Sequence, residues 1–504
     1  MNKLLKIIGA VAVINMLARF IGFTREIVIG NQYGTTAISD SIINAYTIPN
    51  FLYLVIGGAF TTAFIAKFNN IDIDGRKDFV RRTFTTILLT IAAITLLCML
   101  FSEAVIKIFF QGISAEELEL LKPMYMWMMA STVMLVLSTW LSGILNVHNK
   151  YHLSTFSVLV YNSAFLVISV ALSLVMGPIG YGIGAFLGAV FMIAFLVFGV
   201  RKVEVMSFKP LFKDRLDQRE LWKMAIPIMI GGATAQMYIM IQRFYTNMLE
   251  DGIVTAMNIA NKMTQFPQAI LMTAVTTVIF PILAKKEAEG DQAAVKRVYI
   301  RGLRMLYLLI LPVSLYFYFE SESVVRILLE RGNYDAQSTA ITAPIVGLFS
   351  FTMFFLAANV YVTRFYYAKG NSNIPVLFGL FSVFAVNIFI INMMIDDYGA
   401  DAIAYATLIS SIVNFILLVG YLQWKYSLKI IYNNIGQLVK FVLITILTAA
   451  AFYGVSQYIE FESKWMHSII TGCISFAIYF VILVALRVQE LSTLLTKVKN
   501  KLKK

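Results

Sequence analysis

The sequence predicts an all-α polytopic membrane protein, and three observations carry that prediction. Of the 504 residues, 59% are hydrophobic and 14% charged, well beyond the roughly 45–50% apolar content of a soluble globular domain. Apolar stretches of about 20 residues, long enough to cross a bilayer, recur along almost the whole chain with short polar connections between them. Lysine and arginine alternate in abundance from one connection to the next, as orientation by cytoplasmic positive charge requires.

In chain order, fourteen such stretches centre near Met16, Leu54, Ala93, Val136, Leu166, Phe191, Ala235, Met272, Leu311, Phe351, Phe384, Ile409, Ile446 and Phe476. Little chain remains for a soluble catalytic domain. The first stretch contains Arg19, Arg25 and Glu26 and lacks a small-residue cleavage site, so it reads as a retained helix and not a signal peptide. Cys98 and Cys473 lie inside apolar runs, which offers neither a disulfide framework nor a metal-ligand spacing, and both read as core packing.

The connections assigned to the cytoplasm hold 32 of the 41 Lys and Arg, chiefly within 67–82, 201–223, 285–304 and 487–504. The opposite side holds five: Lys107, Lys122, Arg326, Arg331 and Lys464. Both termini therefore read as cytoplasmic, and the formal net charge of +13 is mostly an inner-face charge with no nucleic-acid signature. Lys497, Lys499, Lys501, Lys503 and Lys504 suit contact with anionic membrane lipids, at about 1 kcal/mol per residue near the surface, or act as topology determinants alone.

A shift of 218 positions lays Arg25 on Arg243, Gly34 on Gly252, Pro49 on Pro267, Ala66 on Ala284 and Lys67 on Lys285 without a gap. Each copy reads as a helix ending in a charged segment, a tight turn at Gly, then a helix interrupted by Pro. Six segments separate the copies, so both run in the same direction, as parallel repeats about an axis along the membrane normal do. The expected organisation is an N-terminal six-helix lobe over 1–203, a second over 204–430, two additional helices over 431–490 and a basic tail over 491–504. Gly34, Gly252, Pro49 and Pro267 read as hinge and architecture.

Four cations remain inside the apolar segments: Arg19, Arg25, Arg243 and Lys262. A charge at the bilayer centre costs roughly 2.5–3.5 kcal/mol on insertion scales, so Arg19 is expected to face a polar cavity or a partner. Arg25 can pair with Glu26 or Asp40, and Arg243 can snorkel to the interface. Setting Glu26 and Asp40 against the four cations leaves two surplus positive charges. Arginine offers a planar fork for phosphate and lysine a point charge, so a diphosphate would satisfy the surplus.

Enzyme chemistry finds little support. His148 and His152 share one connection, His467 lies on the far side, and neither a Walker motif nor a dinucleotide glycine motif occurs. No cofactor and no metal site is expected, and the driving energy would come from a coupling ion, the membrane potential or consumption of product. Asp396, Asp397 and Asp401 read as a solvated acidic turn.

The run Ala18-Arg19-Phe20-Ile21-Gly22-Phe23-Thr24-Arg25-Glu26, followed by Gly34, Asp40 and Ile48-Pro49-Asn50, resembles the MurJ (MviN) family of lipid II flippases. The resemblance continues at Gly252, Ala260-Asn261-Lys262, Phe266-Pro267, Phe280-Pro281 and the 399–414 region, nearly the full chain. It implies a transporter of the multidrug/oligosaccharidyl-lipid/polysaccharide exporter superfamily in the bacterial cytoplasmic membrane. Two six-helix lobes would enclose a cationic cavity, and the last two helices would form a lipid-tail groove.

By that likeness Arg19, Arg25 and Asp40 match the family's essential charged positions, and Lys262 stands where the family usually has Arg. After Pro49-Asn50 the family often shows an Arg pair, whereas this chain reads Phe51-Leu52-Tyr53-Leu54, and Gln242 stands where an acidic residue is frequent. The implied function is export of lipid II to the outer leaflet for cell-wall synthesis. The alternatives are another undecaprenyl-diphosphate-linked saccharide, a cation-coupled drug exporter, and a non-transporting scaffold for wall synthesis.

Overall fold

The computed structural model describes residues 2–201, 203–212, 218–428, 435–488 and 490. The expected basic tail 491–504, and Lys202, Lys213, Arg215 and Lys429 of the counted connections, lie outside the described residues.

The described chain is helical throughout and holds no strand. The order is α1 (Asn2–Tyr33), α2 (Ala37–Leu52), α3 (Gly58–Phe68), α4 (Arg76–Leu100), α5 (Ser102–Phe109), α6 (Ala115–Val147), α7 (Tyr151–Met176), α8 (Ile179–Val200) and α9 (Gln218–Thr246). It continues with α10 (Ile253–Ala288), α11 (Gln292–Phe319), α12 (Ser321–Leu329), α13 (Ala336–Ala368), α14 (Asn373–Leu380), α15 (Ile388–Tyr398), α16 (Ala400–Tyr426), α17 (Ile435–Tyr458) and α18 (Lys464–Ala485). In hydrocarbon a helix satisfies its own backbone polar groups, which is why apolar runs of this length take that form.

Among the described residues eleven helical spans are long and apolar enough to cross a membrane, or thirteen if each of two bent pairs, in α9 and α10, is one span. The 32-residue α1 lies beyond that set and holds the first of the fourteen centres; every other centre falls in one of the thirteen. The chain is a multi-pass membrane protein.

The element order repeats at the offset read from the sequence. Moving 218 positions on carries α1 onto α9, the α2–α3 span onto α10 and α4 onto α11. The short α5 then falls on α12, α6 on α13, α7 on the α14–α15 span and α8 on α16. Gly34 and Gly252 both take positive φ, 63° and 89°, where a Cβ is disfavoured.

The two proline positions behave differently. Pro49 precedes a π-helical turn, Tyr53–Gly57, that joins α2 to α3 in one span. Around Pro267, α10 runs on without a break, and the 40° bend comes between Thr276 and Ile279, just ahead of Pro281, whose ring removes the bond to the residue four back.

The chain divides into two compact units, Met1–Thr255 and Ala256–Lys504. In the first, Gly180, Gly184 and Gly188 recur every fourth residue on α8. A Cβ on Gly184 would lie 2.8 Å from the Cα of Ser169, and one on Gly188 would lie 3.1 Å from the backbone N of Phe165. Small residues at that spacing let helix backbones approach closely in a membrane, and here they fix α7 against α8. Phe64 stacks on Phe79 at 5.5 Å and meets Trp140 edge-on at 6.1 Å. Arg81 Nε and Arg82 Nη1 donate to the carbonyls of Lys209 and Leu211, which straps the connection after α8 to α4.

In the second unit α11 is the spine. Tyr361 Oη donates to the Val298 carbonyl at 3.0 Å. Tyr479 Oη reaches the Leu308 carbonyl, and Tyr316 Oη the Ser468 carbonyl, each at 2.7 Å. Lys464 pairs with Glu330 at 2.5 Å, and His467 Nε2 lies 3.1 Å from Glu320 Oε2, so His467 fastens the start of α18. The cysteines are less buried than core packing requires: Cys98 is half-buried and Cys473 is exposed.

Candidate functional site

The charged residues singled out in the sequence fall into two sets. Arg25, Glu26, Asp40 and Arg243 are 7%, 5%, 4% and 4% exposed, whereas Arg19 and Lys262 are exposed. The first set has two cations and two anions, and the other two cations are the exposed pair.

Arg25 and Glu26 lie in the half of α1 nearest Gly34. Arg25 Nη2 donates to Glu26 Oε1 at 2.8 Å, so of the two candidate partners the bonded one is Glu26. The remaining guanidinium donors make no hydrogen bond among the described residues. The cation also rests on two rings, 4.5 Å from the Phe165 centre on α7 and 5.1 Å from the Tyr46 centre on α2. Isolated ionised groups are expensive to bury, and pairing plus ring contact is what makes this burial tolerable.

Asp40 does different work. Its Oδ2 accepts from Gly252 N and its Oδ1 from Thr255 N, each at 2.7 Å. The Thr255 hydroxyl donates to Asp40 Oδ1 and lies 2.9 Å from Ser39 Oγ. The carboxylate therefore caps the first turn of α10 from another helix, taking up donors that have no partner within α10. The turn beneath it admits only glycine: at Gly252 a Cβ would come within 2.4 Å of the Thr35 carbonyl oxygen.

Arg243 is buried and does not snorkel. Its Nη1 donates to the Val254 carbonyl at 2.9 Å, and Asp40 and Glu26 are its charged neighbours. Asn247 Nδ2 donates to the Arg243 carbonyl at 2.6 Å, and the Asn44 and Asn247 amides bond to each other, with Asn44 Nδ2 2.6 Å from Asn247 Oδ1. The α9–α10 turn is thus bound to α2 at Ser39, Asp40 and Asn44. Gln242 beside Arg243 is also buried, at 3% exposure.

Arg19 occupies the sparsely packed half of α1, where Val13, Met16, Leu17 and Phe20 are all at least 44% exposed. Among the described residues no carboxylate pairs with it. The neighbouring Ala18 is buried, and its carbonyl accepts from Asn162 Nδ2 of α7 at 3.3 Å. Lys262 lies on α10 in the second unit. Gly34 closes α1, and Thr36 and Ser39 then cap α2 reciprocally, with Thr36 N donating to Ser39 Oγ at 3.0 Å.

Sequence reasoning missed Thr255, Asn44, Asn247, Tyr46 and Phe165. The Asn247 signal was present, a polar side chain one step past the end of an apolar helix. The ring pair carried none, because aromatics are common throughout the chain. Chemically, the buried set can hold a turn and present one edge of Arg25. The exposed cations can meet an anion.

The sequence model of the lipid II flippase MurJ family matches residues 29–473. The chain is 26% identical over 458 residues to the probable lipid II flippase MurJ of Vibrio cholerae, covering 85% of each chain. It is 24% identical over 498 residues to that of Aquifex aeolicus, covering 95% and 94%. Among solved structures, a lipid II flippase MurJ in an inward closed conformation superposes with a TM-score of 0.83 at 20% identity, covering 95% of this chain and 98% of that one. An inward-facing multidrug resistance MATE family transporter of the MOP superfamily gives 0.68 at 12% identity, covering 82% and 99%. These likenesses establish a shared transporter fold, and with the family model matched from residue 29 to residue 473, the chain belongs to the lipid II flippase MurJ family.

Proposed function

We propose that this chain carries lipid II from the cytoplasmic to the outer leaflet of the bacterial cytoplasmic membrane by alternating access, in support of peptidoglycan synthesis. The observation that carries the reading is the division of charge. Buried Glu26 and Asp40 accompany Arg25 and Arg243, whereas the cations Arg19 and Lys262 are exposed. Arg19 has no carboxylate partner among the described residues, cationic charge in a membrane segment favours an anionic ligand, and lipid II bears a diphosphate. Arg19, Arg25 and Lys262 are the proposed head-group contacts, and Arg243 and Asp40 hold the α9–α10 turn.

In this reading the protein is a transporter and not an enzyme, with both termini in the cytoplasm and no bound cofactor. Residues 1–203 and 204–430 act as the two lobes, and the pair within 431–490 supplies a groove for the polyprenyl tail. An emptied cationic site is returned by the membrane potential or a coupling ion, since one charge across 100 mV is worth about 2.3 kcal/mol. A drug exporter for cations would need buried carboxylates free to meet its cargo, and Glu26 and Asp40 are both engaged.

A second reading, a different undecaprenyl-diphosphate-linked saccharide, is favoured by Lys262 in place of the family's usual Arg and by apolar Phe51-Leu52 in place of an Arg pair. Depletion of the protein in its host, with lipid II scored by an outer-surface probe, separates the two. Loss of surface lipid II with a growing internal pool supports lipid II as cargo. Unchanged exposure in a host without a second flippase contradicts it.

A further inference from the structure

Arg25 is held by two aromatic rings as well as by Glu26. The Phe165 and Tyr46 ring centres lie 4.5 Å and 5.1 Å from the guanidinium carbon and 6.0 Å from each other. Those three lengths place the rings on two adjacent sides of the cation, a corner and not a sandwich. Glu26 closes a third side at 2.8 Å.

The contacts differ in what they use. The ion pair uses an N–H donor of the kind that phosphate oxygens would take, whereas the ring contacts draw on the cation's charge. The corner is also rigid. Phe165 is 2% exposed, its backbone is pressed against Gly188, and Tyr161 packs on its ring at 5.7 Å. Tyr46 comes from α2, the helix that carries Asp40 and is bound to the α9–α10 turn.

We propose that Tyr46 and Phe165 are positioning residues for cargo recognition: they keep the Arg25 guanidinium in place while it exchanges Glu26 for the oxygens of an anionic diphosphate. This rests on the reading of Arg25 as a cargo contact. An arginine released from Glu26 without the corner would regain rotamer freedom and lose it again on binding. With the corner the fork stays aimed through the exchange. Glu26 then serves as a resident counter-ion that neutralises the cation when no cargo is present.

The test uses the full chain in lipid nanodiscs and the affinity of undecaprenyl diphosphate, with thermal unfolding as a check on folding. Tyr46→Met and Phe165→Met keep apolar bulk but remove the ring, and each is expected to weaken binding roughly three- to tenfold. Tyr46→Phe and Phe165→Tyr keep a ring and are expected to bind within about twofold of the parent. In an Arg25→Ala background the methionine changes should add nothing further. Methionine variants that bind like the parent would overturn the proposal, and so would losses that persist undiminished without Arg25. Tyr46, which is only half-buried, serves if Phe165→Met does not fold. Arg25→Ala binding like the parent would instead remove the cargo reading of Arg25, an outcome distinct from failure of the ring variants alone.

Discussion

Asp40 and Thr255, 215 positions apart, are joined twice: one carboxylate oxygen accepts both the backbone N–H and the hydroxyl of the threonine. The other oxygen accepts from Gly252 N at 2.7 Å. A single side chain thus supplies the cap that α10 lacks in its own sequence, and it ties α2 to the α9–α10 turn. Any conformational change that moves α2 away from this turn must break these bonds together.

Removing that cap should loosen the turn. Asp40→Ala leaves the Gly252 and Thr255 donors buried without an acceptor, at about 1–3 kcal/mol for each unsatisfied group. Asp40→Asn keeps one oxygen acceptor and should be less damaging. Thermal unfolding of the purified variants is expected to rank parent, Asn, Ala in falling order, and equal midpoints for Asn and Ala would contradict the capping role.

The glycine beneath the cap gives a sharper contrast. Gly252 and Gly177 both have positive φ, 89° and 65°, but a Cβ at Gly252 meets the Thr35 carbonyl at 2.4 Å while at Gly177 it meets nothing within 4 Å. Gly177→Ala should cost only the backbone term, about 1–3 kcal/mol. Gly252→Ala must in addition displace backbone, so it should lower the unfolding midpoint more and abolish complementation in depleted cells.

Much of this was legible in the sequence, and the reason is physical. Spans follow from apolar length, the turns at Gly34 and Gly252 from residue type and a shared offset, and the partner of Arg25 was narrowed to two acids by proximity. The Asp40–Thr255 contact was not legible, because a cap supplied from a distant helix leaves no local pattern. Nor was the Arg25 corner: with 39 Phe and 25 Tyr in the chain, no single ring stands out. Arg243 looked like a cavity cation or an interfacial anchor, and only the fold brings it to the Val254 carbonyl.

The exposed and buried cations should fail differently. Arg19→Gln removes an exposed charge without a carboxylate partner among the described residues, so stability should change by less than about 0.5 kcal/mol while complementation is lost. Arg25→Ala removes the hydrogen-bonded partner of buried Glu26 and should lower both stability and function. Adding Glu26→Gln to Arg25→Ala should recover stability but not function. Recovery of both would make the pair architectural only.

Acid should release the start of α18 late. Burial alone would raise the Glu330 carboxyl, but bonds from Lys464 and Thr339 and the charge of Arg326 outweigh it and hold Glu330 below the usual carboxylate range. A carboxyl so depressed stabilises the fold at pH above its ordinary value, near 4.3, and that contribution is lost as pH falls through the lowered one. Because Lys464 is 56% exposed at its side chain, the pair is worth only about 0.2–1 kcal/mol. Lys464→Ala should therefore lower the unfolding midpoint slightly at pH 7 and equally at pH 5.5, and the difference should vanish only in stronger acid.

The most direct test of the transport claim is reconstitution of the purified chain in liposomes with lipid II, following how much lipid II becomes accessible to a reagent outside the vesicles. Accessibility is expected to rise with the parent protein and to fall to the level of empty vesicles with Arg19→Gln, a variant that keeps its unfolding midpoint. Parent protein that leaves lipid II as inaccessible as in empty vesicles, under an imposed potential of either sign, would contradict it.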